Sequence, residues 1–297
     1  FLTGTDEHSV NIAQAAEARG ITPREFVDEK VALFRAAEDT LLISPDLLLE
    51  SGWLTREDLD DFPDLPRAAC DFPAARVAKT SLLHRACNRF PSHPDERRRY
   101  ETFCSLHPWL HDFSLFTVLK AHHQGRMWVE WEEDFREREA GALLRARDRW
   151  QEEIEREKIL QYFFFDQWAS LKRHCRERGV RLIGDIPIYV TYDSADVWAD
   201  PALFQLDESK RPRVVAGVPP DYFSQKGQRW GNPIYRWNFH QQTDYAWWFG
   251  RIRHNLELFD VLRLDHFRGF LGYWEIPEAE PTAVHGRWRN GPGGEFF

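Results

Sequence analysis

The chain has 297 residues, 42% of them apolar, and a formal net charge of −9. That length suits one large domain or two ordinary ones, and the acidic balance, with a pI near 5.8, excludes the basic face that a nucleic-acid surface requires. No apolar run approaches the length of a membrane span and no signal-peptide pattern is present, so a cytoplasmic protein with neither membrane nor nucleic acid as partner is expected.

From the N-terminus, the Ala-rich stretch "NIAQAAEARG" reads as a helix stopped by Gly20. A second helix is expected with Thr22 as N-cap and Pro23 at its first position. Residues 41–150 read as helical and irregular. Within them "TREDL" sets Thr55 at a cap position and Asp58 three residues on, close to a capping box, while Pro63, Pro66 and Pro73 mark loops. The charged run "EEDFREREAGALLRARDRWQEEIEREKILQ" alternates in sign at i,i+4 spacing, which describes a solvated helix face better than a partner surface. A helical pattern over 151–178 ends at Gly179, and the β-branched stretch "VRLIGDIPIYV", residues 180–190, follows as a strand. A long loop rich in Pro, Gly and aromatic residues is expected over 198–240. Then comes a helix over about 242–259, with Trp248, Ile252 and Leu256 at i,i+4 spacing, and a strand over 260–265. Helix then strand, twice, with near-continuous apolar strands, predicts a parallel α/β sheet or barrel. The cysteines (Cys70, Cys87, Cys104, Cys175) have no Cys-x-x-Cys spacing and read as scattered reduced thiols, not a metal site.

The candidate chemistry gathers at strand ends. In "VLRLDHFRGF", residues 261–270, Arg263 and Asp265 lie two apart and share one face of a strand, and His266 follows. Asp185 ends the preceding strand. Ligands of parallel α/β folds bind at the carboxyl ends of strands, and a guanidinium beside two carboxylates would orient them. On spacing alone, a catalytic group and a structural ion pair fit equally. The stretch 217–237, "GVPPDYFSQKGQRWGNPIYRW", is stiffened by Pro219 and Pro220 and presents Asp221, Tyr222, Phe223, Trp230, Asn232, Tyr235 and Trp237. A long loop of this kind is more often functional than filler. With 13 Trp in the chain, such aromatics beside amide and carboxylate groups suit a polyhydroxylated ligand.

The stretches "GDIPIYVTYDSADVWADPALFQLD", "AGVPPDYFSQKGQRWGNPIYRW" and "RLDHFRGFLGYWEIP" closely resemble the amylomaltases, or 4-α-glucanotransferases, of the α-amylase clan. The resemblance runs from about Leu41 to the C-terminus. It implies an α/β fold: an incomplete (β/α)8 TIM barrel, with a largely helical inserted subdomain over 41–150 and the partial barrel over 151–297. Asp265 matches the family's nucleophile, Arg263 the arginine beside it, and His266 the histidine that follows. Asp185 matches an aspartate that shapes the neighbouring sugar site. Asp221, Tyr222 and Phe223 match a loop over the donor glucan, and Trp230 and Asn232 match a segment lining the cleft. The implied reaction is retaining transfer between maltooligosaccharides or other α-1,4-glucans, through a covalent glucosyl-enzyme. No organic cofactor and no metal is implied.

Two departures accompany this resemblance. The family's general-acid glutamate and a third aspartate are expected beyond Phe297, and Glu275, Glu278 and Glu280 do not sit in its acid motif. The first two barrel strands are also absent before residue 41. In their place "FLTGTDEHSVNIAQAAEARGITPREFVDEKVALFR" resembles methionyl-tRNA synthetases, and the domain reading is accordingly a synthetase-like segment over 1–40. It lacks the His-x-Gly-His and Lys-Met-Ser-Lys-Ser signatures, so Asp6, Glu7 and His8 have no synthetase site to join. A join near residues 37–41 of fragmentary or artefactual origin is expected. So is a poorly soluble chain, inactive by itself as a transferase, because open strand edges invite aggregation. A synthetase fragment or a non-catalytic glucan-binding remnant are the alternative functions.

Overall fold

The computed structural model describes residues 39–63, 65, 71–90 and 94–297. The helices read around Gly20, Thr22 and Pro23, the triplet Asp6, Glu7 and His8, Pro66 and Cys70 all lie outside the described residues. The described residues fall into two compact units, one within 39–124 with 140–177, the other of 125–139 with 178–297. This division differs from the zones read along the sequence. Residues 125–139 go with the strands, and the helix after residue 150 goes with the helical unit.

In the helical unit, α1 (Pro45–Glu50) starts from Ser44, whose hydroxyl accepts from Leu47 N, with proline in the first turn. Helix α2 (Arg56–Asp60) carries the expected capping box. The Thr55 hydroxyl accepts from Asp58 N, and the Asp58 carboxylate accepts from Thr55 N at 2.7 Å. Asp58 also receives Arg89 at 2.7 Å, from the end of α3 (Phe72–Arg89). Pro73 stands in the first turn of α3 and marks a helix start, not the expected loop, because a helix's first turn needs no proline N–H. Helices α4 (Pro94–Leu106) and α5 (Trp109–His122) follow. The charged run is broken into α6 (Glu133–Arg136), α7 (Ala140–Arg149) and α8 (Gln151–Glu177). Of these, α6 belongs to the other unit. Helix α8 buries Ile154, Ile159, Leu160, Tyr162, Phe163 and Phe164, and packs within its unit against α5, α3, α4 and α7. Edge-to-face contacts of Phe90 with Tyr100, Tyr162 and Phe163, at 5.2–5.8 Å between centroids, form part of that core. The chain leaves α8 through Gly179 at φ 69°, the left-handed position that favours glycine.

The second unit carries two sheets. Strand β1 (Ile183–Ile186) pairs in parallel with β4 (Val261–Leu264), with Asp185 opposite Arg263. The expected strand over 180–190 is therefore four residues long. Pro187 ends it, having no N–H for the ladder. Between β1 and β4 lie α9 (Ala195–Ala199), β2 (Val214–Val218), β3 (Gln228–Pro233), α10 (Trp237–Gln242) and α11 (Ala246–Leu258). The expected loop over 198–240 thus contains two strands. They join β5 (Gly272–Pro277) and β6 (Arg287–Asn290) in an antiparallel sheet of order β3-β2-β5-β6. The class is α/β, as expected. A parallel strand pair with helices in the crossover is the kind of element from which a (β/α) barrel is built.

Two close approaches fix β1 against its surroundings. A Cβ at Gly184 would fall 2.2 Å from Phe259 Cδ2, so only glycine lets that ring lie against the strand. Asp260 N donates to Leu182 O at 2.9 Å, and the Asp260 carboxylate accepts from Leu182 N at 3.0 Å, which pins the register. The buried residues of α11 are Trp248, His254 and Leu258. Leu256, which continues the i,i+4 spacing of Trp248 and Ile252, is 49% exposed.

The second unit has a pH-sensitive point. His240, on α10, is fully buried, with Tyr235, Trp237 and Trp247 within about 6 Å between centroids. Burial lowers its pKa from 6.5 to about 4. The unfolded chain takes up a proton below pH 6.5, while the folded chain stays neutral there until about pH 4. Its stability contribution is therefore present above pH 6.5 and is lost as the pH falls toward 4. The unfolding free energy from urea titrations should drop between pH 7.5 and 4.5 by about 2 kcal/mol more in the wild type than in His240→Phe. Equal pH dependence in the two proteins would contradict this.

Candidate active site

The residues singled out at the strand ends come together. Asp185 on β1 and Arg263 on β4 are register partners, so their side chains leave the same face. Arg263 Nε donates to Asp185 Oδ1 at 3.0 Å, and Nη2 donates to Asp185 Oδ2, a two-pronged pair. The same Nη2 donates to Asp265 Oδ1 at 3.2 Å. One guanidinium therefore bridges both carboxylates. Arg263 is 55% exposed and Asp265 12%, on a side-chain basis. Asp265 N donates to Ile186 O at 2.9 Å, which continues the β1–β4 ladder by one step and fixes where its side chain starts.

His266 follows at φ 48°, in the left-handed region. That conformation turns the chain out of β4 into the 3₁₀ turn Phe267–Phe270. Strained non-glycine backbone of this kind is concentrated at functional sites. The imidazole meets Trp230 edge-to-face at 4.8 Å, which brings β3 to the same place. Trp230 is half-buried and donates its indole N–H to Gln228 Oε1 at 3.0 Å. Asn232 donates to Val190 O at 3.0 Å. Two carboxylates held by the same arginine, with an aromatic plane beside them, suit a polyhydroxylated ligand.

The remaining sequence candidates divide. Tyr222 and Phe223 are 96% and 85% exposed, at the tip of the turn between β2 and β3. Asp221 Oδ1 accepts from Phe223 N at 2.9 Å and Ser224 N at 2.7 Å, so its carboxylate shapes the turn that carries the two rings. Tyr235 and Trp237, expected to face a ligand, are core residues at 0% and 9% exposure. Tyr235 donates its hydroxyl to Ile188 O at 2.7 Å, and burial pushes its phenol pKa up. Tyr189 stacks on Tyr235 at 5.7 Å, and burial raises its pKa well above the ordinary value. Glu275 is buried between Arg287 and Arg289, which donate to it at 2.8 and 3.3 Å, and Glu278 pairs with Arg229. Sequence reasoning did not single out Ile188, Arg251 or Gly269. Their signal was faint: an apolar residue, an arginine in a helix, and a glycine in a turn.

A family model described as 4-alpha-glucanotransferase matches residues 32–297. A second, described as tRNA synthetases class I (M), matches residues 1–51. The chain is 43% identical over 265 residues to the 4-alpha-glucanotransferase of Aquifex aeolicus (strain VF5), covering 88% of this chain and 52% of that protein. It is likewise 43% identical over 279 residues to the 4-alpha-glucanotransferase of Thermus thermophilus, covering 93% and 55%. The chain spans about half the length of the curated relatives it matches. Among solved structures, it superposes on the amylomaltase from Streptococcus agalactiae in complex with acarbose with a TM-score of 0.83 at 38% identity, covering 88% of this chain and 53% of that one. It also shares its fold with the amylomaltase from Corynebacterium glutamicum, at TM-score 0.67 and 18% identity.

Proposed function

The chain belongs to the 4-alpha-glucanotransferase family, and from that premise we propose that its strand-bearing unit carries the donor-sugar site of a retaining transfer between α-1,4-glucans. The observation behind this reading is the single arginine that holds two carboxylates at adjacent strand ends. An Asp265 oxygen attacks the anomeric carbon of a glucosyl unit, and the bond from that carbon to the departing sugar oxygen breaks. The leaving oxygen takes a proton from a general acid other than Asp185; the carboxylate so formed later takes the proton of a sugar hydroxyl as that hydroxyl's oxygen displaces Asp265 and restores the configuration. Asp185 and Arg263 orient the donor ring and Asp265. His266, Trp230 and Asn232 line the donor position, and the Asp221-shaped turn brings Tyr222 and Phe223 over the glucan, where they keep water from the intermediate. The partners are maltooligosaccharides and related glucans, and the expected compartment is the cytoplasm. Among the described residues no helix is long and apolar enough to cross a membrane.

An α-maltotriosyl fluoride tests the nucleophile by itself, because fluoride leaves without a proton donor. A fluoride burst matching the enzyme concentration supports the proposal. Binding of maltooligosaccharides without any burst would replace it with the glucan-binding alternative. The synthetase alternative is not favoured: its match is confined to residues 1–51. Methionine-dependent ATP–pyrophosphate exchange is expected to be absent.

A further inference from the structure

The segment that follows Asp185 is held from two sides. Ile188 O accepts from Tyr235 Oη at 2.7 Å and from Arg251 Nη1 at 3.3 Å, and Val190 O accepts from Asn232 at 3.0 Å. Tyr235 is itself immobilised: it is fully buried, with Phe204, Tyr189, Trp237 and Trp248 at 5.0–5.7 Å between centroids. On the other side, the Ile188 side chain, 3% exposed, reaches the turn that follows Asp265. A Cβ at Gly269 would fall 2.5 Å from Ile188 Cδ1, but 3.8 Å from its Cγ1 and 3.4 Å from His266 Cδ2. Gly269 N donates to His266 O at 2.9 Å, so the contact is only three peptide bonds from His266. Gly269 has no positive φ; it is glycine for space.

We propose that Ile188 is a positioning residue, pinned by Tyr235 through its carbonyl and seated against Gly269 through its δ-methyl, and that this contact sets the separation of Asp185 and Asp265. The inference rests on the glucan-transfer reading of that pair. The backbone from Ile188 to Asp185 is short and stiffened by Pro187, and the backbone from Gly269 to Asp265 is one tight turn. A displacement at the contact therefore reaches both carboxylates. Misplacement of reacting groups by about 1 Å costs roughly a hundredfold in rate.

The test is a rescue. Gly269→Ala should lower the rate of the first fluoride burst from α-maltotriosyl fluoride about 10- to 100-fold at saturating donor, with the half-saturating donor concentration changed less than about threefold. Adding Ile188→Val, which removes the δ-methyl that the new Cβ would meet, should restore the burst to within about fivefold of wild type. Tyr235→Phe keeps the ring packing and removes only the hydroxyl. It should slow the burst about tenfold while the circular-dichroism spectrum stays native, and it carries the test if Gly269→Ala does not fold. A native Gly269→Ala with a wild-type burst, or a loss that Ile188→Val leaves uncorrected, would overturn the proposal. So would a wild-type burst from Tyr235→Phe. Asp265→Asn separates the two ideas. If it too keeps a full burst, the glucan-transfer reading fails; if it loses the burst while the Gly269 and Tyr235 variants keep it, only the positioning role fails.

Discussion

Asp265→Asn is expected to remove the fluoride burst from α-maltotriosyl fluoride, slowing glycosylation by at least about a thousandfold, while the fold is unchanged. The size follows from the role. A nucleophile that forms the covalent bond cannot be replaced by a neighbour at the same position, and removal of such groups costs roughly three to six orders of magnitude. The fold is preserved because an amide is close in shape to a carboxylate and its oxygen still accepts from Arg263, which lies 3.2 Å from Asp265 Oδ1. The backbone bond from Asp265 N to Ile186 O does not involve the side chain. Rate constants from a burst assay, with thermal melting as the control for folding, check both halves. A variant that keeps more than about a tenth of the burst rate would reassign the nucleophile.

Trp248→Ala is expected to cost about 3–5 kcal/mol of stability. The indole is fully buried. It contacts Tyr235, Phe270 and Phe296 at 5.1–5.8 Å between centroids, and the Arg251 guanidinium lies 5.0 Å from its centroid. Removing it leaves a cavity that these rigid rings cannot close, and dispersion contacts are lost on every side. The indole N–H has no acceptor among the described residues. Trp248→Phe therefore forfeits only volume and should cost less, about 1–2 kcal/mol. Urea denaturation followed by far-ultraviolet circular dichroism reads both. A cost below about 1 kcal/mol for Trp248→Ala would mean that the cluster relaxes around the cavity.

Much of the site was readable because chemistry-bearing residues at i and i+2 on a strand must share a face, and the strand ends of a parallel pair must converge. That much predicted that Asp185, Arg263 and Asp265 meet, as they do; it left a catalytic group and a structural ion pair equally open, and the roles proposed for them rest on the family resemblance. The capping box at Thr55 and Asp58 was readable for a similar reason: it is a local motif whose bonds close within four residues. The β2–β3 pair was not readable. Gly217, Gly231, Asn232 and Pro233 carry low strand propensity; β3 is held only by β2, and β2 in turn by β5, more than fifty residues further along the chain. Strand β1 was read too long because apolar, β-branched residues continue past Pro187, where burial under the aromatic cluster takes over from sheet pairing. Tyr235 was read as a sugar platform because exposure cannot be read from residue type. The structure buries it and uses its hydroxyl on Ile188. Tyr222 and Phe223, in the same stretch, remain on the surface, since Asp221 closes the turn beneath them.

The most direct measurement is to trap the glycosyl-enzyme. The full chain is incubated with a 5-fluorinated α-maltosyl fluoride, whose second fluorine slows breakdown of the glycosyl ester, and is then digested with pepsin at low pH and sequenced by tandem mass spectrometry. One maltosyl adduct per chain on Asp265, absent from Asp265→Asn, is the expected result. An adduct on Asp185 or another carboxylate, or an unlabelled protein that releases no fluoride, would contradict the assignment of Asp265 as the group that takes the sugar.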